Sequence, residues 1–481
     1  MKASFVLSSW LAALCLAGCA AGPDYKRPQT APPADFAGAT AAGYSTNEPA
    51  APWWRGFDDP DLTRLIERAA ASNLDLRIAT ANLLEARAMR LGARADFLPS
   101  AEGQASYSNV KYSQAGLFNA PGVPRQQELY DAGFDATWEL DIFGRVRRSE
   151  QASNAAYEGA REERRDVEVS LLSEVARNYF EWRGAENELA VLRRNAENQN
   201  ETLKITQARL DAGSGTDLDV ARARAQWNNT LAEIPPVESS LAHARHRLAV
   251  LTGREPEAPA AELEEGRPLP ALPRLVAIGN PASLLRRRPD IRAAERNLAA
   301  LTARTGVAAA DLFPRVTFNG AIGLQATSFT GLGGPASDTR SFGPAITWAA
   351  LDYGHVRARI NAAGAAAEAG LAAYEKTVLT SLEETENALV DFGRARARRE
   401  FLAESVKASQ TAAALARSRY DNGAADFLAV LDAERVMLEA QDQLAQTETQ
   451  TATALIAVYK ALGGGWTEPE GKGPAQSGGG K

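Results

Sequence analysis

Two histidines, His243 and His246, are three residues apart, and on a helix such a pair can ligate a metal ion. No cysteine and no third histidine lies near them, and His355 stands alone. The sequence also lacks a Gly-x-Ser-x-Gly nucleophile motif, a phosphate-binding glycine loop ending in Lys-Ser or Lys-Thr, and a His-Glu-x-x-His motif. We therefore interpret His243 and His246 as residues on a solvated helix face. The sequence predicts a protein that is not an enzyme and needs no metal or other cofactor.

A second reactive side chain is Cys19, which follows Leu16-Ala17-Gly18. Residues 1–18 have a charged start, a short apolar run and small residues at the end, as a secretory signal does. A cysteine in this place resembles the lipobox of bacterial lipoproteins. The resemblance implies that Cys19 becomes the mature N-terminus and carries a diacylglycerol and an N-acyl lipid such as palmitate, and Ala20 after it resembles lipoproteins exported to the outer membrane. An ordinary cleaved signal with a passive Cys19 is the alternative.

Composition and charge exclude several classes of protein. The formal net charge of −7 argues against a nucleic-acid partner, because phosphate binding needs a basic surface. Cys15 leaves with the signal, so the mature chain would keep only Cys19 and could form no internal disulfide. After residue 18, no apolar run approaches the roughly 20 residues of a transmembrane helix.

The chain repeats itself at an offset of about 210 residues, which is too long for a solenoid unit and predicts an internal duplication. Three repeated phrases keep their order: residues 95–99 and 310–314, residues 138–147 (WELDIFGRVR) and 348–357 (WAALDYGHVR), and residues 208–213 and 418–423. The sequence therefore predicts the following segments: an N-terminal segment 19–57, a first half 58–252, a Pro- and Glu-rich linker 253–289, a second half 290–464 and a disordered tail 465–481.

Each half has one very long helical pattern. Residues 145–212 contain no proline and place apolar residues three, four or seven apart, which predicts a helix of roughly 68 residues, on the order of 100 Å long. Its twin covers about residues 356–422. Shorter helices are predicted over residues 74–97 and 217–251 in the first half, and over 290–313 and 426–462 in the second. Two short helices placed end to end could pack along each long one as a coiled coil.

Between the helices, the pattern changes to an alternation with a period of two. Strands are predicted at about residues 100–112, 130–141, 315–327 and 341–351, each near the roughly ten residues that cross a hydrocarbon layer when tilted. Two hairpins lying on a soluble core show the same alternation and are the alternative. The signal for acylation, the Gly- and Pro-rich hairpin loops and the lack of a nearby sequence to cover an apolar sheet favour lipid.

Four strands cannot close a barrel, and an open sheet edge in lipid leaves backbone groups unsatisfied. Two copies of the chain would give eight strands, and three copies would give twelve strands with room for a passage. We therefore expect a cyclic homotrimer. The repeated phrase would then lie where a strand leaves the membrane, with Trp138 and Trp348 as interface aromatics. The other equivalent positions are a turn glycine and a capping aspartate in each copy, Gly144 with Asp141 and Gly354 with Asp352.

At this point the sequence resembles the TolC-like outer-membrane factors, in the OprM/NodT lipoprotein branch. The resemblance covers nearly the whole mature chain and depends on residues 22–28 (GPDYKRP), Trp53-Trp54 and residues 73–77 (NLDLR). Residues 286–295 (RRRPDIRAAE) are the most specific part. It implies a mixed α/β membrane protein: a trimeric 12-stranded transmembrane β-barrel, four strands per chain, continuous with a long periplasmic α-helical coiled-coil barrel. An equatorial belt would contain the N-terminal segment, the linker and the tail.

The function implied is the outer-membrane channel of a tripartite efflux system in a Gram-negative bacterium. The channel would be a passive exit for drugs or metal ions, delivered by an inner-membrane resistance-nodulation-division type pump and a periplasmic adaptor (membrane fusion protein). A type I secretion duct and a pore-less lipid-anchored coiled-coil scaffold are the alternatives.

Two helix-to-helix turns lie at the far end of the long helices. The sequence predicts tight turns in which Gly213 and Gly423 adopt the left-handed conformation that ends a helix, and a plain helical hairpin would explain them fully. By resemblance, they would be adaptor-contact turns. Their residues are Gly213, Ser214, Gly215, Gly423 and Ala424.

The resemblance also implies a periplasmic gate beside these turns, at Tyr420, Leu428 and Asp432. Asp421 departs from the family pattern, in which a basic residue is common, so Arg419 or Arg209 would have to supply the base of an ion pair. Rings of Asp421 and Asp432 in a trimer would make the entrance acidic and favour cations.

Overall fold

The structure is a computed structural model that describes residues 20–40, 43–113, 115, 124–257 and 266–466. The predicted signal segment 1–18, the lipidation site Cys19 and most of the predicted tail, from residue 467 onward, lie outside the described residues. The chain divides into two compact units. The first contains residues 82–161, residues 293–375 and the N-terminal residues up to Gln29; the second contains residues 30–81, 162–292 and 376 onward.

These units do not follow the two sequence halves, since each unit takes segments from both. The predicted boundaries at residues 252 and 290 describe the repeat, whereas the compact units reflect packing. The helices are α1 (Pro60–Ser72), α2 (Leu74–Ala95), α3 (Arg145–Asp211), α4 (Asp217–Leu251), α5 (Pro281–Arg287), α6 (Pro289–Ala310), α7 (Tyr353–Asp421) and α8 (Phe427–Ala461). The strands are β1 (Tyr44–Ser45), β2 (Ser100–Lys111), β3 (Gln126–Leu140), β4 (Val276–Ala277), β5 (Arg315–Ala326) and β6 (Asp338–Thr347).

The long helices lie close to where the periodicity places them, but two strands, the linker and helix α1 differ from the sequence prediction. Strand β3 begins about four residues earlier than expected, and β6 is shifted towards the hairpin, so that Trp348 follows the strand. The linker is partly ordered, because it contains α5 and β4, and β4 pairs in parallel with β1. Helix α1 was not predicted, although Asp59 caps it through its side chain and Pro60 occupies its first position.

The first unit contains one antiparallel sheet in the order β2-β3-β5-β6. The central pair joins the two halves of the sequence, with Phe134 opposite Ile322 and Trp138 opposite Phe318. Since directly opposite residues project to the same face, the aromatic and aliphatic residues collect on one side. Phe342, on β6, belongs to the same face because it lies opposite Gly320.

The other face of this sheet is polar. Asp135 lies opposite Glu102 on one side and Ala321 on the other, and Thr137 lies opposite Asn319. The apolar face is exposed in the single chain: Phe134 is 63%, Ile322 65% and Phe342 80% accessible. A stable sheet with such a face needs an apolar environment to cover it.

The second unit has a large hydrophobic core built from segments that are far apart in the sequence. Trp53 stacks on Tyr459 with ring centroids 4.9 Å apart, and Phe57 packs against Phe180 at 4.9 Å. A fully buried ion pair lies beside this core, in which the guanidinium of Arg183 is 3.1 Å from the carboxylate of Asp61. Removal of one partner of such a pair destabilises the fold, because the other charge is then buried and unpaired.

No helix in the described part of the chain combines the length and the apolar character needed to cross a membrane.

Candidate functional site

Both helix-to-helix turns of the second unit end their long helices in the same way. Gly213 follows α3 with φ +74°, and Gly423 follows α7 with φ +68°, as predicted. The amide of Ser214 donates to the carbonyl of Arg209 at 2.9 Å, and the amide of Ala424 donates to the carbonyl of Arg419 at 2.8 Å. These bonds form a Schellman motif, which satisfies carbonyl groups at the end of a helix.

The helices that follow the turns begin with side-chain caps. The hydroxyl of Thr216 accepts from the amide of Asp219 at 3.2 Å, and Asp426 accepts from the amide of Ala429 at 3.0 Å. Gly215 leaves no space for a side chain, because a Cβ there would lie 2.9 Å from the amide nitrogen of Leu210. The turn residues are therefore fixed in conformation by local hydrogen bonds.

An arginine from the first turn region lies over residues of the second. The guanidinium of Arg209 is centred 4.2 Å from the ring of Tyr420, and its Nη2 is 3.5 Å from Oδ1 of Asp421. Tyr420 in turn packs against Phe427 at 5.3 Å. Of the two arginines considered from the sequence, Arg209 is thus the one that approaches Asp421. Its cation-π contact and ion pair join the two turns of one chain.

Leu428 and Asp432, the other two sequence-predicted gate positions, lie on the first turns of α8. The side chain of Leu428 is exposed, and that of Asp432 accepts a hydrogen bond from Arg435 at 2.8 Å. Arg435 also donates to Glu439 at 2.8 Å. Sequence reasoning missed Arg435, although its spacing of three and four residues from the two carboxylates is a recognisable helix pattern. Both predicted gate carboxylates therefore have an arginine partner in the same chain, which offsets the acidic character expected from the sequence alone.

Beneath the turns, side chains of three helices meet. Arg417 of α7 donates to the hydroxyl of Thr202 on α3 at 3.0 Å and to Glu434 on α8 at 3.3 Å. Burial raises the pKa of Glu434, and the adjacent Arg417 opposes that shift. An apolar cluster of Ala223, Phe427, Val430 and Leu431 lies close to these groups. The turns are thus supported by both apolar packing and polar cross-links.

The first unit contains the two copies of the repeated phrase. The indole nitrogen of Trp138 donates to the carbonyl of Phe97 at 3.0 Å, and that of Trp348 donates to the carbonyl of Leu312 at 3.0 Å. Both tryptophans remain partly exposed. In each half this bond therefore links the tryptophan phrase to the repeated phrase before it. Phe97 belongs to residues 95–99 (ADFLP), and Leu312 belongs to residues 310–314 (ADLFP).

The capping prediction holds for one of the two aspartates. Asp141 accepts from the amides of Val146 at 2.8 Å and Arg147 at 2.9 Å, and Gly144 has φ +83°. In the second copy the carboxylate of Asp352 contacts the ring nitrogen Nδ1 of His355 instead.

Gly354 differs from Gly144 in that it lies inside α7 and not at a left-handed turn. The reason is visible in the sequence. One residue separates Asp352 from Gly354, whereas two separate Asp141 from Gly144, so the second helix starts directly after its aspartate.

Sequence reasoning also missed a contact between the N-terminal residues and the first corner. Arg148, whose side chain is only 5% exposed, donates to the carbonyls of Ala21 and Gly22 at 3.1 and 3.3 Å, and to Asp24 at 2.7 Å. The amide of Ala21 donates to the carbonyl of Phe143 at 3.0 Å. These bonds fasten the residues that follow Cys19 to the beginning of α3.

Residues 20–27, which we call the N-terminal strap, also contact α6. The hydroxyl of Tyr25 donates to Glu295 at 3.1 Å, Arg27 pairs with Glu295 at 3.0 Å, and the guanidinium of Arg296 lies 5.5 Å from the Tyr25 ring centroid. Burial raises the pKa of Tyr25 to about 12, and the Glu295 carboxylate adds to the shift.

Comparison with known proteins gives this geometry its context. Residues 65–254 and 280–464 match the family model described as outer membrane efflux protein. The solvent efflux pump outer membrane protein SrpC of Pseudomonas putida is 32% identical over 468 residues, which are 95% of this chain and 97% of that protein. Outer membrane protein OprJ of Pseudomonas aeruginosa is 32% identical over 469 residues, 97% of each chain.

The fold has a close counterpart among solved structures. The structure of the outer-membrane channel OprN superposes with a TM-score of 0.87 and 43% sequence identity, covering 93% of this chain and 100% of that one. The sequence match and the structural match together cover both halves of the repeat. The chain belongs to the outer membrane efflux protein family and is an outer-membrane component of an efflux system in a Gram-negative bacterium.

Proposed function

We propose that three copies of the chain form a passive exit duct for small molecules. In this trimer the four strands of each chain, two from each half of the duplicated sequence, would contribute to a twelve-stranded barrel. The long helices would line a periplasmic tunnel. The observation that carries the proposal is the four-stranded sheet, whose edges are β2 and β6 and whose exposed face is apolar. In lipid, strand edges require partners, and copies of the same chain can supply them.

The duct would be filled from the periplasm by an inner-membrane pump of the resistance-nodulation-division type through an adaptor protein. The turns around Gly213 and Gly423 are the proposed adaptor contacts. Tyr420, Leu428 and Asp432 are the proposed gate, with Arg209 in place of a base at position 421. The lipid on Cys19 would hold the N-terminus at the outer membrane. The bonds of Arg148 support this arrangement because they keep residues 20–24 beside the beginning of α3.

A pair of lysine substitutions tests which face of the sheet meets lipid. Phe342 and Ser341 are neighbours on β6 and project to opposite faces. We expect Phe342→Lys to reduce the trimer recovered from outer membranes, because a lysine facing lipid costs about 2–4 kcal/mol near the bilayer centre. Ser341→Lys should assemble normally and shift the ion selectivity of the pore in planar bilayers towards anions.

The mass of the purified protein in detergent and its conductance in planar bilayers decide between the proposals. A three-chain mass with ohmic conductance supports the proposal. A solitary chain, or a trimer that never conducts, would favour the lipid-anchored scaffold. Equal effects of the two lysine substitutions would indicate that neither face meets lipid.

A further inference from the structure

A cavity of about 500 Å³ lies in the second unit among α3, α4 and α8. It extends from the proposed gate positions Leu428 and Asp432 along α8 to Asp442. The turn contacts described above do not use its inner end, so its chemistry needs a separate explanation.

The cavity has an excess of negative charge at that inner end. Four carboxylates line the cavity, those of Glu233, Asp432, Glu439 and Asp442, against two guanidinium groups, those of Arg222 and Arg435. Arg435 is engaged by Asp432 and Glu439. Further along α8, the amide of Gln446 donates to both Asp442 and Glu188, each at 3.0 Å. Asp442 and Glu233 of α4 line the space, and Glu188 lies outside the lining but shares the Gln446 donor with Asp442, so a cation at this end would be stabilised.

A buried side chain without hydrogen-bond partners points to a ligand independently of this charge. Gln199 lines the cavity and is 5% exposed, yet both its Oε1 and its Nε2 lack partners. Oδ1 of Asp442 also lacks one. Buried polar atoms are nearly always satisfied, so an amide carbonyl and a carboxylate oxygen free in the same cavity fit a donor such as a protonated amine, whereas Nε2 of Gln199 is itself a donor and needs an acceptor such as water.

Part of the lining is apolar. It consists of Leu192 and Leu431, which are buried at 2% and 6% exposure, together with Leu428 and Leu438. The polar side chains of Asn195, Gln226, Asn229 and Thr230 also line the space. A volume of this size that combines apolar and polar groups has the character of a small-molecule site. A bare metal ion would leave the leucine side of the cavity without contacts.

We propose that this cavity binds amphipathic organic cations, that is, protonated amines with an apolar body. The ammonium group would donate to Asp442 and to Oε1 of Gln199, and the apolar body would pack on the leucines. The binding is a property of a single chain. Its role as a stopping point for cargo in transit rests on the proposed duct.

The binding should depend on pH. Burial raises the pKa of Asp442 to about 6, with a further contribution from Glu188, and burial together with Asp442 and Glu439 raises the pKa of Glu233. Protonation of Asp442 removes the charge that attracts the ligand, so affinity is expected to be full above about pH 7 and to fall as the pH passes below 6. Glu188 on α3 and Glu233 on α4 are the charged groups that interact electrostatically with Asp442, and Arg222 on α4 and Asp432, Arg435 and Glu439 on α8 line the same cavity.

A matched ligand series isolates the charge. 4-Phenylbutylamine, 4-phenylbutanol and 4-phenylbutyrate share one apolar body and differ only in their polar end. Equilibrium dialysis of the full-length protein against the same detergent buffer measures binding of each at pH 7.5 and pH 5. We expect the amine to bind about tenfold more tightly than the alcohol at pH 7.5, because a charge pair at contact distance near a protein surface is worth at least that much. The advantage should shrink at pH 5, where the amine keeps its own proton.

Three variants complete the test. Asp442→Asn is expected to weaken amine binding about tenfold and to flatten its pH dependence. Gln199→Leu should weaken it about threefold, the effect of one modest hydrogen bond. Glu201→Gln is the control, because Glu201 is an exposed carboxylate on the same helix that pairs with Lys204; it should bind like the unmodified protein.

Equal binding of amine and alcohol, or an equal loss in Glu201→Gln and Asp442→Asn, would overturn the proposal. Amine binding abolished by Mg²⁺ at low concentration would also overturn it, in favour of a metal site. The mass in detergent is measured for each variant, so a folding defect is recognised. A conducting trimer that does not bind the amine would refute this site alone and leave the duct proposal intact.

Discussion

The two strand-to-helix corners of the first unit have nearly the same sequence but are built differently. In both corners a tryptophan donates a hydrogen bond to a carbonyl of the preceding repeated phrase in the same half, at 3.0 Å in each case. Only the first has a left-handed glycine, an aspartate that caps two helix amides and a buried arginine at position 148. The residue equivalent to Arg148 is Ala358.

The difference corresponds to a task that only one copy performs. The first corner receives the N-terminal strap, through Arg148 and the carbonyl of Phe143. The features shared by both copies therefore serve the sheet, and the features unique to the first serve the attachment of the N-terminus. Substitutions at equivalent positions should separate these two roles.

The largest difference is expected at the glycines. In Gly144→Ala, the new Cβ would lie 2.6 Å from Cβ of Ala20 at a backbone φ of +83°. We expect the free energy of unfolding to fall by about 2–3 kcal/mol from left-handed strain and overpacking. Gly354→Ala should instead stabilise by about 0.5–1 kcal/mol, because Gly354 is helical and a Cβ there meets nothing within 4 Å. Thermal unfolding in detergent measures both, and shifts of the same sign would contradict the comparison.

Arg148→Ala makes the first corner resemble the second. Loss of its bonds to Ala21, Gly22 and Asp24 is expected to cost about 2 kcal/mol, because the two carbonyls lose their donor. The strap should also become a protease substrate. Trypsin cleavage after Lys26, followed by mass spectrometry, reads this directly. Arg357→Ala is the control, and similar cleavage rates in both variants would show that the strap is held by other contacts.

A smaller difference is expected at the aspartates. Asp141→Ala should lower the free energy of unfolding by about 1 kcal/mol, since two helix amides lose their acceptor. Asp352→Ala removes an exposed contact with His355 and should change it by less than about 0.5 kcal/mol. The thermal unfolding midpoints of the two variants measure this difference. Equal losses of stability would mean that Asp352 also caps its helix in solution.

The tryptophans should show the smallest difference. Trp138→Phe and Trp348→Phe each remove one hydrogen bond to a carbonyl and should each cost about 0.5–1 kcal/mol. Thermal unfolding of the single and double variants checks that the two losses are equal and additive. A loss confined to one tryptophan would show that the repeat does not preserve this bond for both corners.

The sequence predicts the parts of this fold that depend on local pattern. Helices α3 and α4 lie within one residue of the expected bounds, because their apolar spacing and the turn at Gly213 are local features. The pairing of β3 with β5 was not deducible, since alternation places a residue on a face without naming its partner. Helix α1 has a local signal at Asp59-Pro60, a capping aspartate followed by proline, that the sequence prediction did not use.

In the candidate site, too, local features were predictable from the sequence and tertiary contacts were not. Gly213 and Gly423 are left-handed, as predicted, and the caps Thr216 and Asp426 follow from the same turn chemistry. Arg148 was missed because its partner Asp24 is far away in the sequence. Arg209 was named only as an alternative because its approach to Asp421 depends on tertiary packing. The open amide of Gln199 is visible only once its surroundings are known.

The core of the second unit has a consequence for biogenesis. Its aromatic stack joins Trp53 to Tyr459, and the same cluster contains Phe36 and Leu462, near the two ends of the chain. A polypeptide that emerges from the export machinery amino end first cannot complete this cluster until its last helix has emerged. We therefore expect an exported chain to expose the apolar surface of this cluster until its last helix has emerged, and a chain that ends before Tyr459 to lack part of the core.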